Sequence, residues 1–191
     1  RLLILLMGKI VEAVENGTSV EVADRAVAPL GLPMPPFALF DLVGPAVGLH
    51  VLTSLREDLG DRFPESPGLQ RIVDEQIPVV LDAPKGLPKP VDPAIQRVFG
   101  TGAAGGDGAL DEAGVLDSVL TALTQEIGLM LDEGVVASPS QIDLCMILGA
   151  GWGFHLGGIT PYLDRTGYSE KVLGRRFLPD GVANVPATSR V

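Results

Sequence analysis

The chain has 191 residues, of which 46% are hydrophobic, with a formal net charge of −10 and a mean hydropathy of +0.33. That length suits one domain or two small ones. The acidic balance argues against nucleic acid and against an anionic membrane face, because both require a basic surface. A single cysteine, Cys145, excludes an internal disulfide, and its combination with only two histidines, His50 and His155, predicts no zinc site.

The first predicted element is a helix over residues 2–16 whose opening turns are apolar on all sides, which is typical of a buried helix. Its apolar stretch is shorter than the ~20 residues that cross a bilayer. No small-residue cleavage site of a signal peptide follows it. The opening arginine suggests a processed product or a piece of a longer chain.

The next elements meet at a proline-rich corner. Thr18 and Glu21 have capping-box spacing, which predicts a helix that ends at Gly31. The sequence GLPMPPF follows over residues 31–37, and Pro36 suits the first turn of another helix. A glycine and a proline at 44 and 45 then stop that helix and start one that runs to about Leu59.

Residues 83–114 are predicted to be a linker. Four prolines lie between 84 and 93, the sequence TGAAGGDG occupies 101–108, and helical periodicity survives only from Ile95 to Phe99. We expect mobility around Gly100 to Gly108. No strand pattern precedes these glycines, so they do not predict a phosphate-binding loop.

The later part of the chain repeats the plan of the first. A long helix is predicted over 115–133, closed by Gly134, and Ser138 and Gln141 would cap a short helix that ends at Gly149. The short segments ENG, VADRAVAPLG and LFDLVG (15–17, 22–31, 39–44) match DEG, QIDLCMILG and YLDRTG (132–134, 141–149, 162–167). The sequence therefore predicts two helical repeats, 1–82 and 115–191, on either side of the linker.

Several polar and aromatic residues allow two interpretations. Asp41 and Asp164 each lie three residues before a glycine, which favours hydrogen bonds to turn amides over acid chemistry. The basic segment 165–176 reads as a solvated helix face or as part of a phosphate contact. The aromatic corner at 152–155 could pack in the core or face a partner.

Two stretches resemble a known family. Residues 1–51, and above all the run GLPMPPF within its helical frame, resemble the C-terminal domain of 3-hydroxyacyl-CoA dehydrogenases. Residues 141–167 resemble the second repeat of the multifunctional fatty-acid oxidation α subunit. That second resemblance is carried by a Gly-Gly, aromatic, Asp and Gly pattern, here Gly157, Gly158, Tyr162, Asp164 and Gly167.

The resemblance implies an all-α fold, a duplicated helical bundle like the C-terminal domain of 6-phosphogluconate dehydrogenase, packed behind a Rossmann domain. It implies NAD-dependent oxidation of a 3-hydroxyacyl-CoA in fatty-acid β-oxidation, with a His steadied by a Glu as the base. Those catalytic residues belong to the Rossmann domain. We therefore expect no catalytic residue and no metal ligand in this segment, and we expect NAD to bind a domain absent from it.

The resemblance also assigns the proline-rich corner to the wall of the acyl pocket, with Pro33, Met34, Pro36 and Phe37 as candidate substrate-binding residues. Prolines make the bend stiff, and an acyl chain needs an apolar, preorganised surface. A corner that merely packs on the core is the competing interpretation for Met34 and Phe37.

The expected partners are the Rossmann domain of the same enzyme, the acyl-CoA substrate and further subunits in a homo- or hetero-oligomer. We expect no nucleic acid, no transmembrane segment and a cytoplasmic location. The isolated segment is predicted to be inactive. A stand-alone, non-catalytic helical interaction module is the alternative function, and a helical domain of another dehydrogenase is a third interpretation.

Overall fold

The computed structural model describes residues 1–84, 89–99 and 108–182. These ranges form ten α-helices: α1 Leu2–Glu15, α2 Val20–Ala26, α3 Pro36–Val43, α4 Pro45–Leu59, α5 Pro67–Asp74, α6 Ile95–Val98, α7 Glu112–Asp132, α8 Pro139–Ala150, α9 Ile159–Arg165 and α10 Tyr168–Leu173. Within them the sole β pairing is one isolated antiparallel bridge between Val80 and Val91. The all-α expectation is confirmed.

The chain divides into two compact units. The first consists of residues 1, 3–28 and 34–119, and the second of residues 2, 29–33 and 120–191. The repeat limits 1–82 and 115–191 and the linker between them stay predictions. Mobility is expected around Gly100 to Gly108, and residues 100–107 of this segment lie outside the described ranges.

Helix α1 is the centre of the first unit. Its apolar opening is buried as predicted, with Leu6, Ile10 and Val14 fully inaccessible to solvent. Gly8 lets α4 and the loop after it approach, since a Cβ there would lie 3.1 Å from both Leu52 Cδ1 and Pro64 Cγ. The close approach explains why a glycine is tolerated in the middle of a buried helix.

The described part of the predicted linker packs into the first unit. Ile95 and Phe99 are buried, and a Cβ on Gly68 would lie 2.2 Å from the Phe99 ring. Gln96 Oε1 accepts a hydrogen bond from the Val20 amide at 2.7 Å, at the start of α2. Helix α6, Ile95–Val98, forms where the sequence kept its helical periodicity.

The cap of α2 differs from the expectation. Ser19, and not Thr18, is the N-cap, and its Oγ accepts from the Val22 amide at 3.2 Å. The Thr18 hydroxyl is buried and accepts from the amide of Leu110 at 2.9 Å. The Thr18 hydroxyl, which the local pattern assigned to the cap, is therefore bound by a residue 92 positions later in the chain.

Residues 120–132 of α7 and helices α8 to α10 carry the core of the second unit, where Leu123, Ile127 and Leu163 are fully buried. The predicted end of α8 at Gly149 is wrong, because the helix continues to Ala150 and Gly151 takes the left-handed C-cap conformation with φ +69°. Ile142 and Met146 of α8 are buried, whereas Cys145 is exposed.

Within the described ranges, α7 is long and apolar enough to cross a bilayer by length and composition, and so are α3 and α4 if the pair, bent by 99°, is counted as one span. Val119, Leu123 and Ile127 of α7 are instead fully buried in the protein. A core helix passes the same test, so this feature does not indicate a membrane span.

Candidate functional site

The proline-rich corner leads directly into α3. Pro35 is the N-cap of this helix with extended backbone, and Pro36 begins it, as the sequence predicted. Pro36 and Phe37 are buried, Met34 is half-buried and Pro33 is exposed. Pro33 belongs to the second unit and the other three candidate residues to the first.

The Phe37 side chain lies in the core of the first unit. It is 1% exposed, and its ring contacts those of Phe40 and Phe99 at centroid distances of 6.2 and 6.3 Å. The contact with Phe99 is edge-to-face, at 80°. Phe37 is therefore a core residue, whereas Met34 keeps partial access to solvent. The substrate contact assigned to all four residues stays a prediction.

A half-buried carboxylate holds the start of α3. Asp24 Oδ1 accepts a hydrogen bond from the Phe37 amide at 2.9 Å. Since Pro35 and Pro36 have no N–H, this amide is the first donor of the helix. Burial raises the pKa of Asp24 above its ordinary 3.8, and the hydrogen bond from Phe37 opposes that rise. Sequence reasoning missed this residue.

The second repeat contains the same arrangement. Asp143 accepts from the Thr160 amide at 2.8 Å and from the Thr160 hydroxyl at 2.7 Å, at the start of α9. Burial raises the pKa of Asp143, and the bonds from Thr160 oppose it. The segments matched in the sequence, VADRAVAPLG and QIDLCMILG, already place Asp24 opposite Asp143. Phe37 and Thr160 each lie two residues before the start of the next matched segments, LFDLVG and YLDRTG, so they also correspond. The shared aspartate at positions 24 and 143 was the sequence signal that could have revealed the cap.

The other matched pair of aspartates has diverged. Asp164 is buried and accepts from the amides of Phe177 and Leu178 at 2.9 and 3.0 Å, with the Arg176 guanidinium 3.8 Å away. It therefore binds amides as predicted, but amides 13 and 14 residues later rather than those of its own turn. Asp41 instead pairs with Lys89 Nζ at 3.2 Å on the surface.

Within the second unit, a glycine-rich corner at residues 151–158 packs against residues 30–33, which lead into the proline-rich corner. The Gly153 amide donates to the Leu30 carbonyl at 3.3 Å. A Cβ on Gly31, where φ is +64°, would lie 2.6 Å from His155 Cε1. A Cβ on Gly151 would lie 2.8 Å from Pro33 Cγ. Residues 30–33 thus pack closely against the glycine-rich corner within the second unit.

The aromatic residues of that corner divide between the two interpretations. Trp152 is buried and meets Tyr162 edge-to-face at 6.2 Å. Burial raises the pKa of the Tyr162 hydroxyl. Phe154 is 81% exposed, and His155 is also exposed. Trp152 is therefore a core residue, and only its neighbours remain available to a partner.

The basic segment uses its charges within the chain. Arg165 Nη2 donates to the Leu156 carbonyl at 2.7 Å, and Arg175 pairs with Asp132 at 2.7 Å. Lys171 lies over the Tyr168 ring, 5.1 Å from its centroid. Lys171 and Arg175 are also exposed, as on a solvated helix face, and the phosphate contact stays a prediction.

A groove of about 490 Å³ lies between α4, α5 and the loop that joins them. Arg56 at its wall pairs with Asp61 and Glu65 and donates to the Phe63 carbonyl. Its guanidinium is thus committed to the protein. Among the described residues there is no group of three or more His, Cys, Asp or Glu that could hold a metal ion.

The described residues form an all-helical structure in which an aspartate caps the start of both α3 and α9. Residues 1–78 match the family model of the 3-hydroxyacyl-CoA dehydrogenase C-terminal domain. This confirms the resemblance drawn from the motifs: residues 1–78 are similar to the C-terminal domain of that family.

Curated relatives extend the likeness to most of the chain. Fatty acid oxidation complex subunit alpha of Acinetobacter baumannii (strain SDF) is 29% identical over 171 residues, covering 83% of this chain and 24% of the relative. The subunit of the same name from Shewanella baltica is 28% identical over 196 residues, covering 94% and 27%. The chain therefore spans about a quarter of the length of these relatives.

Proposed function

We propose that this chain is the substrate-side and subunit-contacting part of an NAD-dependent 3-hydroxyacyl-CoA dehydrogenase that acts in fatty-acid β-oxidation in the cytoplasm. The observation that carries the proposal is the family match over residues 1–78, continued by relatives of one name across the second repeat. The relatives are α subunits of a complex, which supports further domains and subunits as partners.

The cofactor belongs to another domain in this proposal. NAD in such enzymes is held by a strand–helix–strand unit with a glycine-rich turn. The described residues contain helices and a single isolated bridge, so they offer NAD no such cradle. Hydride transfer and the proton step at the 3-hydroxyl are therefore assigned to residues outside this chain.

What this chain supplies is an apolar, preorganised wall. Met34 lies in a bend that is stiffened by prolines on both sides. The ring of Phe37, three residues later, packs against the rings of Phe40 and Phe99. A thioester-linked acyl chain gains by covering such a surface, because the wall loses little conformational freedom on binding. The corner carries no charged side chain that would resist an acyl chain.

An interaction module without chemistry is the second candidate. Exposed apolar residues on both units favour it: Leu42 at the end of α3 is 68% exposed, Leu148 on α8 76% and Phe154 81%. Contiguous exposed apolar patches often mark protein contacts, and this candidate requires such residues to form one.

The test assays the complete polypeptide that carries these residues for NADH oxidation with acetoacetyl-CoA, beside the 191-residue chain alone. We expect turnover by the complete polypeptide and none by the chain alone. Turnover by the chain alone would contradict the division of labour. A complete polypeptide with an intact Rossmann domain and no turnover would contradict the dehydrogenase function and favour the interaction module.

A further inference from the structure

The cap of α3 comes from outside the helix. At its N-cap, Pro35 has no side-chain oxygen and makes no cap hydrogen bond. Asp24, on α2, supplies the missing acceptor from 13 residues earlier in the chain. The carboxylate is half-buried, so its bond to the Phe37 amide is stronger than an exposed one would be.

Phe37 is consequently held at two points. Its amide is bound by Asp24, and its ring is packed against Phe99 in an edge-to-face contact. Met34 is separated from that fixed amide only by Pro35 and Pro36, whose φ angles are restricted. The position of the Met34 side chain therefore depends on where Asp24 holds the end of the corner.

We propose that Asp24 is a positioning residue for the acyl-binding corner, an inference that rests on the proposed dehydrogenase function. It does not touch substrate. It sets the depth and direction of the wall that Met34 presents, and so it affects long acyl chains, which reach the wall, more than short ones, which do not.

The second repeat provides a matched control. Asp143 makes the same bond to Thr160, with a second bond to the hydroxyl, but no Pro-Met-Pro-Pro sequence precedes that helix. Loss of either aspartate leaves a helix-start amide without its partner and should cost stability to a similar degree. Only Asp24 should change the preference for acyl length.

The experiment compares Asp24→Ala, Asp24→Asn, Asp24→Glu and Asp143→Ala in the complete polypeptide. KM and kcat are measured with 3-hydroxyacyl-CoA substrates of 4, 10 and 16 carbons. We expect Asp24→Ala to raise KM for the longest chain about tenfold and that for the shortest less than about twofold. Asp24→Asn, which keeps an acceptor oxygen, should recover most of the loss.

Asp24→Glu keeps the charge but moves the carboxylate by one methylene, so it should show the same length-dependent rise in KM. This variant replaces Asp24→Ala in the comparison if the alanine variant does not fold. Equal KM changes at all lengths, or the same length dependence in Asp143→Ala, would overturn the inference. Either result would show that the aspartate acts on stability alone.

A second readout separates this inference from the proposed function. Amide hydrogen exchange at Phe37, measured in the same polypeptide, should accelerate in Asp24→Ala and stay slow in Asp143→Ala, whether or not the protein turns over. An inactive wild type would refute the dehydrogenase function alone. Unchanged exchange at Phe37 in Asp24→Ala would refute the positioning role alone.

Discussion

The backbone amide of Gly153 donates a hydrogen bond to the carbonyl oxygen of Leu30, with 3.3 Å between nitrogen and oxygen. This bond joins the chain before the proline-rich corner to the glycine-rich corner of the second repeat. A Cβ on Gly153 would lie 2.8 Å from that same oxygen. Since the obstacle is backbone, it cannot move aside as the end of a side chain could.

Gly153→Ala should therefore destabilise the protein by about 1–3 kcal/mol, the usual range for overpacking. Gly149→Ala is the control, because that glycine lies within α8 and a Cβ there would meet nothing within 4 Å. The control should be neutral or slightly stabilising, since alanine favours helix by roughly 1 kcal/mol over glycine. Urea midpoints measure both. Equal midpoints for the two variants would contradict the close contact.

Phe99→Ala should cost about 3–5 kcal/mol, as expected for removing a buried aromatic ring. The ring is 3% exposed and contacts both Phe37 and Gly68. Phe154→Ala, at an 81% exposed position, should change stability by less than about 0.5 kcal/mol. Thermal unfolding of both variants decides the matter. A small effect at Phe99 would contradict the tight packing of this segment and favour the predicted linker.

The two capping aspartates predict an unusual pH dependence. Burial raises the pKa of Asp143 in the folded state above 3.8, so the folded state holds the proton more tightly than the unfolded chain. The stability due to this proton is fully present below pH ~3.8 and is lost as pH rises through the folded pKa. Asp143→Asn should therefore gain stability relative to wild type as pH rises above ~3.8 and through the raised pKa of Asp143.

Urea titrations of wild type and Asp143→Asn at half-unit pH steps measure that difference. Asp132→Asn serves as a control, because Asp132 is exposed and pairs with Arg175 on the surface. A relative stability that moves in the opposite direction with pH would show that the carboxylate is stabilised, and not penalised, by its surroundings.

Met34→Asp in the complete enzyme should raise KM for long acyl chains more than for short ones, because a charge would stand in the apolar wall. Met34→Leu keeps volume and polarity and should change KM little at any length. Steady-state kinetics over a series of acyl lengths makes the comparison. Equal effects at every length would favour a corner that only packs on the core.

Local patterns predicted the class of fold because they depend on neighbours in the chain. Apolar residues at helical spacing, Pro36 at a first turn and glycines after helices all act over a few residues. The same locality explains the errors at Thr18 and Gly149: several residues near a helix end can serve as its cap or its last turn. The family motif was readable for the same reason, since GLPMPPF is continuous in sequence.

Only the tertiary structure decided what each of these residues contacts. Phe37 and Met34 are both apolar residues of one bend, yet Phe37 lies in the core and Met34 near the surface, because Phe99 packs beneath the first. Asp24 and Phe37 are 13 residues apart, a spacing that matches neither helical nor strand periodicity. Burial and long-range hydrogen bonds depend on what the folded chain brings alongside, and a one-dimensional pattern does not contain that information.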